Sequence, residues 1–196
     1  MVDVVKQLYD REDYPAFPFI KERRLHELNW LVPRLVGKGT SLLDVGCGDG
    51  ALVNCLYHLT DLRLQACDFA EALMRGVNPR IPTFAYDCRQ PGPLPHTDIV
   101  VMAGVFPYFF EDDEARAMLK RVTAPLLFVR STCGNDERVD GYSEALGAPY
   151  KSRYRSVDQV KALLLETRAT VTAERVYPDE IESKFGTKQW YFTASL

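Results

Sequence analysis

Ser41-Leu42-Leu43-Asp44-Val45-Gly46-Cys47-Gly48-Asp49-Gly50-Ala51 decides how the rest of the chain is read. A short apolar run closes on an acid, glycines follow at alternate positions, and a helical pattern begins at once. An apolar run of about five residues bounded by glycines predicts a buried parallel strand. Gly46, Gly48 and Gly50 permit a turn with positive φ and remove the side chains that would hold a ligand off the backbone. The predicted helix opens with unpaired N–H groups, which suit an anionic or carboxylate-bearing ligand. The pattern is that of a nucleotide-type cofactor loop.

Asp44-Val45-Gly46-Cys47-Gly48-Asp49-Gly50 resembles the first motif of the class I S-adenosylmethionine-dependent methyltransferases, an acid, a spacer, then glycines at alternate positions. The resemblance covers Ile20 to Leu196, and this motif is its most specific part. Gly46-x-Gly48-x-x-Ala51 also fits a loose dinucleotide-binding fingerprint, which keeps a nicotinamide-dependent oxidoreductase as an alternative. Two features separate them. The dinucleotide pattern usually places an apolar residue where Asp44 stands, and Gly50 adds a glycine that pyrophosphate binding does not need. A third reading is a methyltransferase-like domain that acts by association without catalysis.

At 196 residues the chain is expected to be a single domain, large enough to bury roughly 70 % of its unfolded surface. An apolar fraction of 46 % and a charged fraction of 26 % are ordinary for a soluble globular protein. The net charge of −3 and the lack of a basic block give no footprint for a nucleic-acid partner. The five cysteines are scattered without a C-x-x-C pair, which speaks against a disulfide framework or zinc site and for a reducing cytoplasm. No apolar run reaches ~18 residues and no signal-peptide pattern opens the chain, so neither membrane nor export is expected.

Residues 1–38 read as an N-terminal helical cap, in which Ile20, Leu25, Leu28, Leu31, Val32 and Leu35 recur at amphipathic spacing. Residues 39–196 read as the cofactor-binding core. After the glycine loop, Ala51, Leu52, Cys55, Leu56 and Leu59 predict a helix packed on the sheet. Leu62 to Asp68 predicts a second strand, Glu71 to Gly76 a short helix, and Ile81 to Tyr86 a third strand. Three prolines and a glycine between Gln90 and His96 leave no room for a full crossover helix. Thr97 to Ala103 and Pro125 to Arg130 predict the fourth and fifth strands, with a helix opening at Glu111–Glu114 between them. Residues 131–155 read as an irregular acceptor-side loop. Ser156-x-x-Gln159 is a capping box, and two β-rich runs, Ala169 to Tyr177 and Gly186 to Leu196, predict a C-terminal antiparallel hairpin. The alternation predicts an α/β fold, a doubly wound, mostly parallel seven-stranded sheet of Rossmann-like methyltransferase type.

The resemblance implies where S-adenosylmethionine, and S-adenosylhomocysteine as product, would bind. Asp44 corresponds to the motif acid that faces the methionine amino group; Gly46, Cys47, Gly48 and Gly50 supply the bare loop. Asp68, 22 residues beyond Gly46, stands where a carboxylate accepts the ribose hydroxyls, although an acid there also caps a helix starting near Ala70. Phe69 would lie against the adenine, Asp87 and Cys88 at its amino edge, and Ala103 and Gly104 at the tip of the fourth strand. Methyl transfer by in-line displacement rests on positioning, so the catalytic residue is unknown; Tyr9, Tyr14 and Tyr154 are the candidate bases. Tyr108, Tyr150, Arg153 and Arg155 are candidate acceptor contacts. His26, His58 and His96 read as structural, and no metal ligands are expected. The acceptor is expected to be a small molecule, and the assembly a monomer or homodimer.

Overall fold

The structure, a computed structural model, describes residues 18–143, 148–183 and 188–196. The first helix, α1 (Pro18–Leu35), is followed by β1 (Ser41–Val45), α2 (Ala51–Leu59) and β2 (Arg63–Asp68). After a 3-10 turn at Leu73–Gly76 come β3 (Thr83–Ala85), β4 (Ile99–Ala103) and a second 3-10 turn at Phe106–Tyr108. Then follow α3 (Asp112–Arg121), β5 (Leu126–Cys133), β6 (Glu137–Ser143), β7 (Ala148–Tyr154) and α4 (Val157–Leu165). The described chain closes with β8 (Thr170–Arg175), α5 (Asp179–Ser183) and β9 (Lys188–Ser195).

Seven strands form one sheet in the order β3-β2-β1-β4-β5-β9-β8. β1 to β5 run parallel, and β9 enters antiparallel between β5 and β8. The predicted seven-stranded, mostly parallel sheet with a C-terminal antiparallel pair is the observed one. Strand order reverses between β1 and β4, and in such sheets the crevice beyond the carboxyl ends at that reversal is the ligand site.

Alternation along the strands sorts the core into two layers. Leu43, Val45, Val100, Met102, Leu127 and Val129 face Met118, Leu119, Leu163 and Leu164 of α3 and α4. Leu42, Ile99, Val101 and Phe128 face Trp30, Leu31 and Leu35 of α1 and Leu52, Val53 and Leu56 of α2. Full burial of one such side chain contributes about 1.5–3 kcal/mol, so each layer holds its helices by packing rather than by propensity. Not every apolar position of the predicted helices is used: Leu25 and Leu59 are exposed.

Three expectations need correction. Glu71 to Gly76 forms only the 3-10 turn, and β3 is three residues rather than six. Residues 131–155 are not irregular: β5 runs on to Cys133, and β6 and β7 pair as a separate two-stranded sheet. That hairpin has no apolar alternation to reveal it. Its strands are joined by backbone pairing and by charge, with Lys151 opposite Asp140 and 2.8 Å from it. The segment between β3 and β4 contains no helix, as its prolines predicted. It is pinned instead by Arg121 of α3, which donates to the Tyr86 hydroxyl at 2.7 Å and to the carbonyls of Cys88 and Gln90.

Candidate cofactor site

The loop after β1 is built from three positive-φ glycines, at 73°, 56° and 75° for Gly46, Gly48 and Gly50. They do different work. A Cβ at Gly46 would lie 2.2 Å from Val105 Cγ2, and one at Gly50 2.5 Å from Val77 Cγ2, so both permit close packing. A Cβ at Gly48 would meet nothing within 4 Å. Among the described residues Gly48 therefore presents a bare backbone with nothing packed on it.

Two acids stand close to this loop. Register pairs Asp44 with Ala66 and Val45 with Cys67, which sets Asp44 and Asp68 at the same, carboxyl end of adjacent parallel strands. Asp68 accepts from Gly48 N–H at 2.8 Å and from Ala70 N–H at 2.8 Å. It thus braces the loop and caps the following turn. Asp44 is different. Only 1 % of its surface is exposed, and neither carboxyl oxygen has a hydrogen-bond partner among the described residues. Burial, then the nearby Glu27 and Asp68 charges, raise its pKa from 3.8 to about 7.

The other predicted cofactor residues ring the same strand tips. Cys47 is buried next to Gly48, whose carbonyl its thiol approaches at 3.7 Å; burial pushes that thiol far above its ordinary pKa. Phe69 is half-buried with the Arg89 guanidinium 5.6 Å above its ring. Asp87 receives Arg89 through N–H, Nε and Nη2; burial opposes its charge, but these bonds hold it below the usual carboxylate range. Burial lifts the Cys88 thiol to about 12. Gly104, at φ 90°, follows Ala103 at the tip of β4 and donates its N–H to the Arg130 carbonyl at 2.9 Å.

The predicted acceptor contacts fall into two groups. Tyr108 is half-buried on the 3-10 turn and Tyr154 half-buried at the end of β7. Arg153 is paired with Asp136 and Asp112, and Arg155 is buried with its Nε 2.9 Å from Asp112. Tyr9 and Tyr14 lie outside the described residues, as does the side chain of Tyr150. Phe109 belongs to the core, edge-on to Phe106.

The tertiary structure adds residues that sequence reading missed. Glu27 of α1 is buried and 3.1 Å from Arg130 Nε of β5. Arg130 Nη2 donates to the Ala103 carbonyl at 3.2 Å and sits 3.2 Å from where a Gly104 Cβ would stand. Tyr177, just beyond β8, is buried nearby. Two signals pointed this way: a charge inside the apolar run Leu126-Leu127-Phe128-Val129-Arg130, and Glu27 four residues before Leu31 on the apolar face of α1. Tyr177 carried none.

No family model matches the chain, and no curated protein matches it. Solved structures do. The complex of DhpI with S-adenosylhomocysteine superimposes with a TM-score of 0.75 at 18 % identity, covering 97 % of this chain and 95 % of that one. Haemonchus contortus phosphoethanolamine N-methyltransferase 2, bound to phosphomonomethylethanolamine and S-adenosylhomocysteine, gives 0.65 at 14 % identity over 96 % of this chain and 59 % of its own. The [4+2]-cyclase SpnF gives 0.63 at 18 % identity, covering 87 % and 80 %. The fold is that of the S-adenosylmethionine-dependent methyltransferases. Among the described residues no group of three or more His, Cys, Asp or Glu is arranged to hold a metal ion, and no helix is long and apolar enough to cross a membrane.

Proposed function

We propose that this protein binds S-adenosylmethionine over the Gly46–Gly50 loop and transfers its methyl group to a small-molecule acceptor without a metal. Asp44 carries the reading: a buried carboxyl without a hydrogen-bond partner among the described residues, leading into a loop where a Cβ at Gly48 would meet none of them within 4 Å. A buried acid of this kind is costly unless a cation reaches it. The ammonium of a methionine moiety is such a cation. The bare Gly48 backbone lets the ligand pass close to the loop, and Asp68 offers its carboxylate to ribose hydroxyls. Phe69, Asp87 and Cys88 bound the adenine, and Ala103 and Gly104 border the methionine half.

The bound cofactor supplies an electrophilic methyl on a sulfonium. The protein's part is to hold the acceptor in line and exclude water, a positioning effect of about 7–11 kcal/mol. Tyr108, Tyr154 and the β6–β7 hairpin bearing Arg153 and Arg155 wall the acceptor side. Tyr9, Tyr14 and Tyr154 remain the candidate bases, needed only if the acceptor arrives protonated. The phosphomonomethylethanolamine bound by one similar structure supports a small acceptor.

Calorimetric titration of the folded protein with S-adenosylhomocysteine tests the reading. We expect saturable binding, weakened at least about tenfold by Asp68→Ala, which removes an acceptor of charge-assisted hydrogen bonds. An absence of heat with wild-type protein, together with tryptophan-to-nicotinamide energy transfer on adding NADH, would transfer the site to the oxidoreductase alternative. Binding without turnover across acceptor classes would favour the associative reading.

A further inference from the structure

We propose that Arg121 is a positioning residue for the cofactor's base: it holds the segment after β3 in the shape that meets the adenine amino edge at Asp87–Cys88. This deepens the methyltransferase reading and rests on it for the place of the adenine.

The segment needs an outside hold. Pro91, Pro93 and Pro95 deprive it of backbone donors, and no helix or strand lies between Ala85 and Ile99. Its local bonds make tight turns. Gln90 N–H donates to the Asp87 carbonyl at 2.9 Å, and Arg89 folds back onto the Asp87 carboxylate through N–H, Nε and Nη2. Such turns shape the chain without fixing where it stands relative to the strand tips.

Arg121 supplies that fix. It is the last residue of α3, and its Nε donates at 3.1 Å to the Ala117 carbonyl, one turn back. Nη2 donates to the Cys88 carbonyl at 2.5 Å, and Nη1 to the Gln90 carbonyl and, at 2.7 Å, to the Tyr86 hydroxyl. Burial raises the Tyr86 pKa, so the phenol keeps its proton and donates it to the Gly92 carbonyl at 3.2 Å. One guanidinium and one phenol thus hold the carbonyls of three alternate residues, Cys88, Gln90 and Gly92. Tyr86 N–H in turn donates to the Asp68 carbonyl at 3.0 Å, which joins this network to the residue proposed for the ribose. The anchored points at Tyr86, Cys88 and Gln90 bracket the Asp87–Cys88 step. Their acceptors are neutral oxygens, spanned by a planar fork that a compact ammonium does not reproduce.

The molecule contains its own control. Arg168 makes bonds of the same kind, Nη1 to the Ala124 carbonyl at 2.7 Å and Nη2 to the Val122 carbonyl at 2.6 Å. Those carbonyls precede β5, at the end of the sheet away from the glycine loop.

Calorimetric titration of the full chain with S-adenosylhomocysteine and with S-inosylhomocysteine, which carries a carbonyl in place of the adenine amino group, separates positioning from support. Wild type is expected to prefer the adenosyl ligand by about tenfold, the value of one well-made hydrogen bond. Arg121→Lys keeps the charge and loses the fork; Tyr86→Phe removes the phenol from the network. Each is expected to weaken the adenosyl ligand and bring the two affinities to within about threefold. Arg168→Lys is expected to lower the melting temperature and leave the wild-type preference intact. Circular dichroism melts establish that each variant folds, and Tyr86→Phe, the milder change, decides the matter if Arg121→Lys does not. Folded variants that keep the wild-type preference would overturn the proposal. So would variants that lose both ligands equally, because Arg121 would then be support alone. A wild type that binds both ligands alike overturns it and leaves the methyltransferase reading standing; a wild type that binds neither removes both.

Discussion

Asp44 makes the stability of the free protein depend on pH in an unusual direction. Its folded pKa of about 7 lies above the unfolded value of 3.8. Below about pH 4 both states hold the proton, and nothing is lost. Between about 4 and 7 the unfolded chain releases it first, so stability falls as pH rises, by about 4 kcal/mol once the folded group also ionises. Asp44→Asn removes this penalty but leaves a buried amide, which returns part of the gain. The free variant is therefore expected to melt several degrees above wild type at pH 8 and near it at pH 4, while losing affinity for S-adenosylhomocysteine. In wild type that affinity is expected to rise with pH up to about 7, as the ammonium takes the place of the proton. A melting temperature at pH 8 unchanged by the substitution would show that Asp44 is not held as a strained acid. Asp44 was legible in the sequence because the turn motif places it. Glu27, Arg130 and Tyr177 were not, because each gains meaning only when α1, β5 and the segment after β8 meet.

The β6–β7 hairpin shows what local pattern cannot reveal at the scale of an element. β1 and β4 were readable because strands buried on both faces need continuous apolar runs. β6 and β7 are tied to the rest through charge: Arg153 bonds Asp136 and Asp112, and Arg155, 1 % exposed, bonds the same Asp112 oxygen. Asp112 is the first residue of α3, so one carboxylate joins a helix start to the hairpin and to the strand's end. Asp112→Ala leaves the buried Arg155 charge without this partner, and such a change costs about 3–5 kcal/mol. Lys151→Ala breaks an ion pair whose two side chains are about half exposed, with an expected cost below about 1 kcal/mol. Urea denaturation of the two variants checks the contrast. Equal losses would mean that the Asp112 cluster is no more consequential than a surface pair.

At the scale of the whole molecule, the last strand of the chain is inserted inside the sheet, between β5 and the edge strand β8. β9 pairs with β5 over eight residue pairs and with β8 over six, and Tyr191, Phe192 and Ala194 are fully buried between the two helical layers. Every residue assigned to the cofactor lies before residue 105, yet the β5 surface that carries Arg130 is completed only when β9 arrives. Tyr191 supports α1 from below, its ring 4.4 Å from that of Trp30, and α1 brings Glu27 to Arg130. Removing β9 exposes an edge of β5 and strips the apolar cover from both layers. Losing two buried aromatics alone costs about 6–10 kcal/mol, comparable with the total stability of a domain, about 5–15 kcal/mol. A chain ending at residue 187 is therefore expected to lack a cooperative thermal transition and to bind no S-adenosylhomocysteine, although its glycine loop and both acids are intact. Circular dichroism melting and calorimetry on that truncation decide the point: a folded, binding-competent fragment would show that the cofactor half stands alone and that the closing strand serves only the acceptor side.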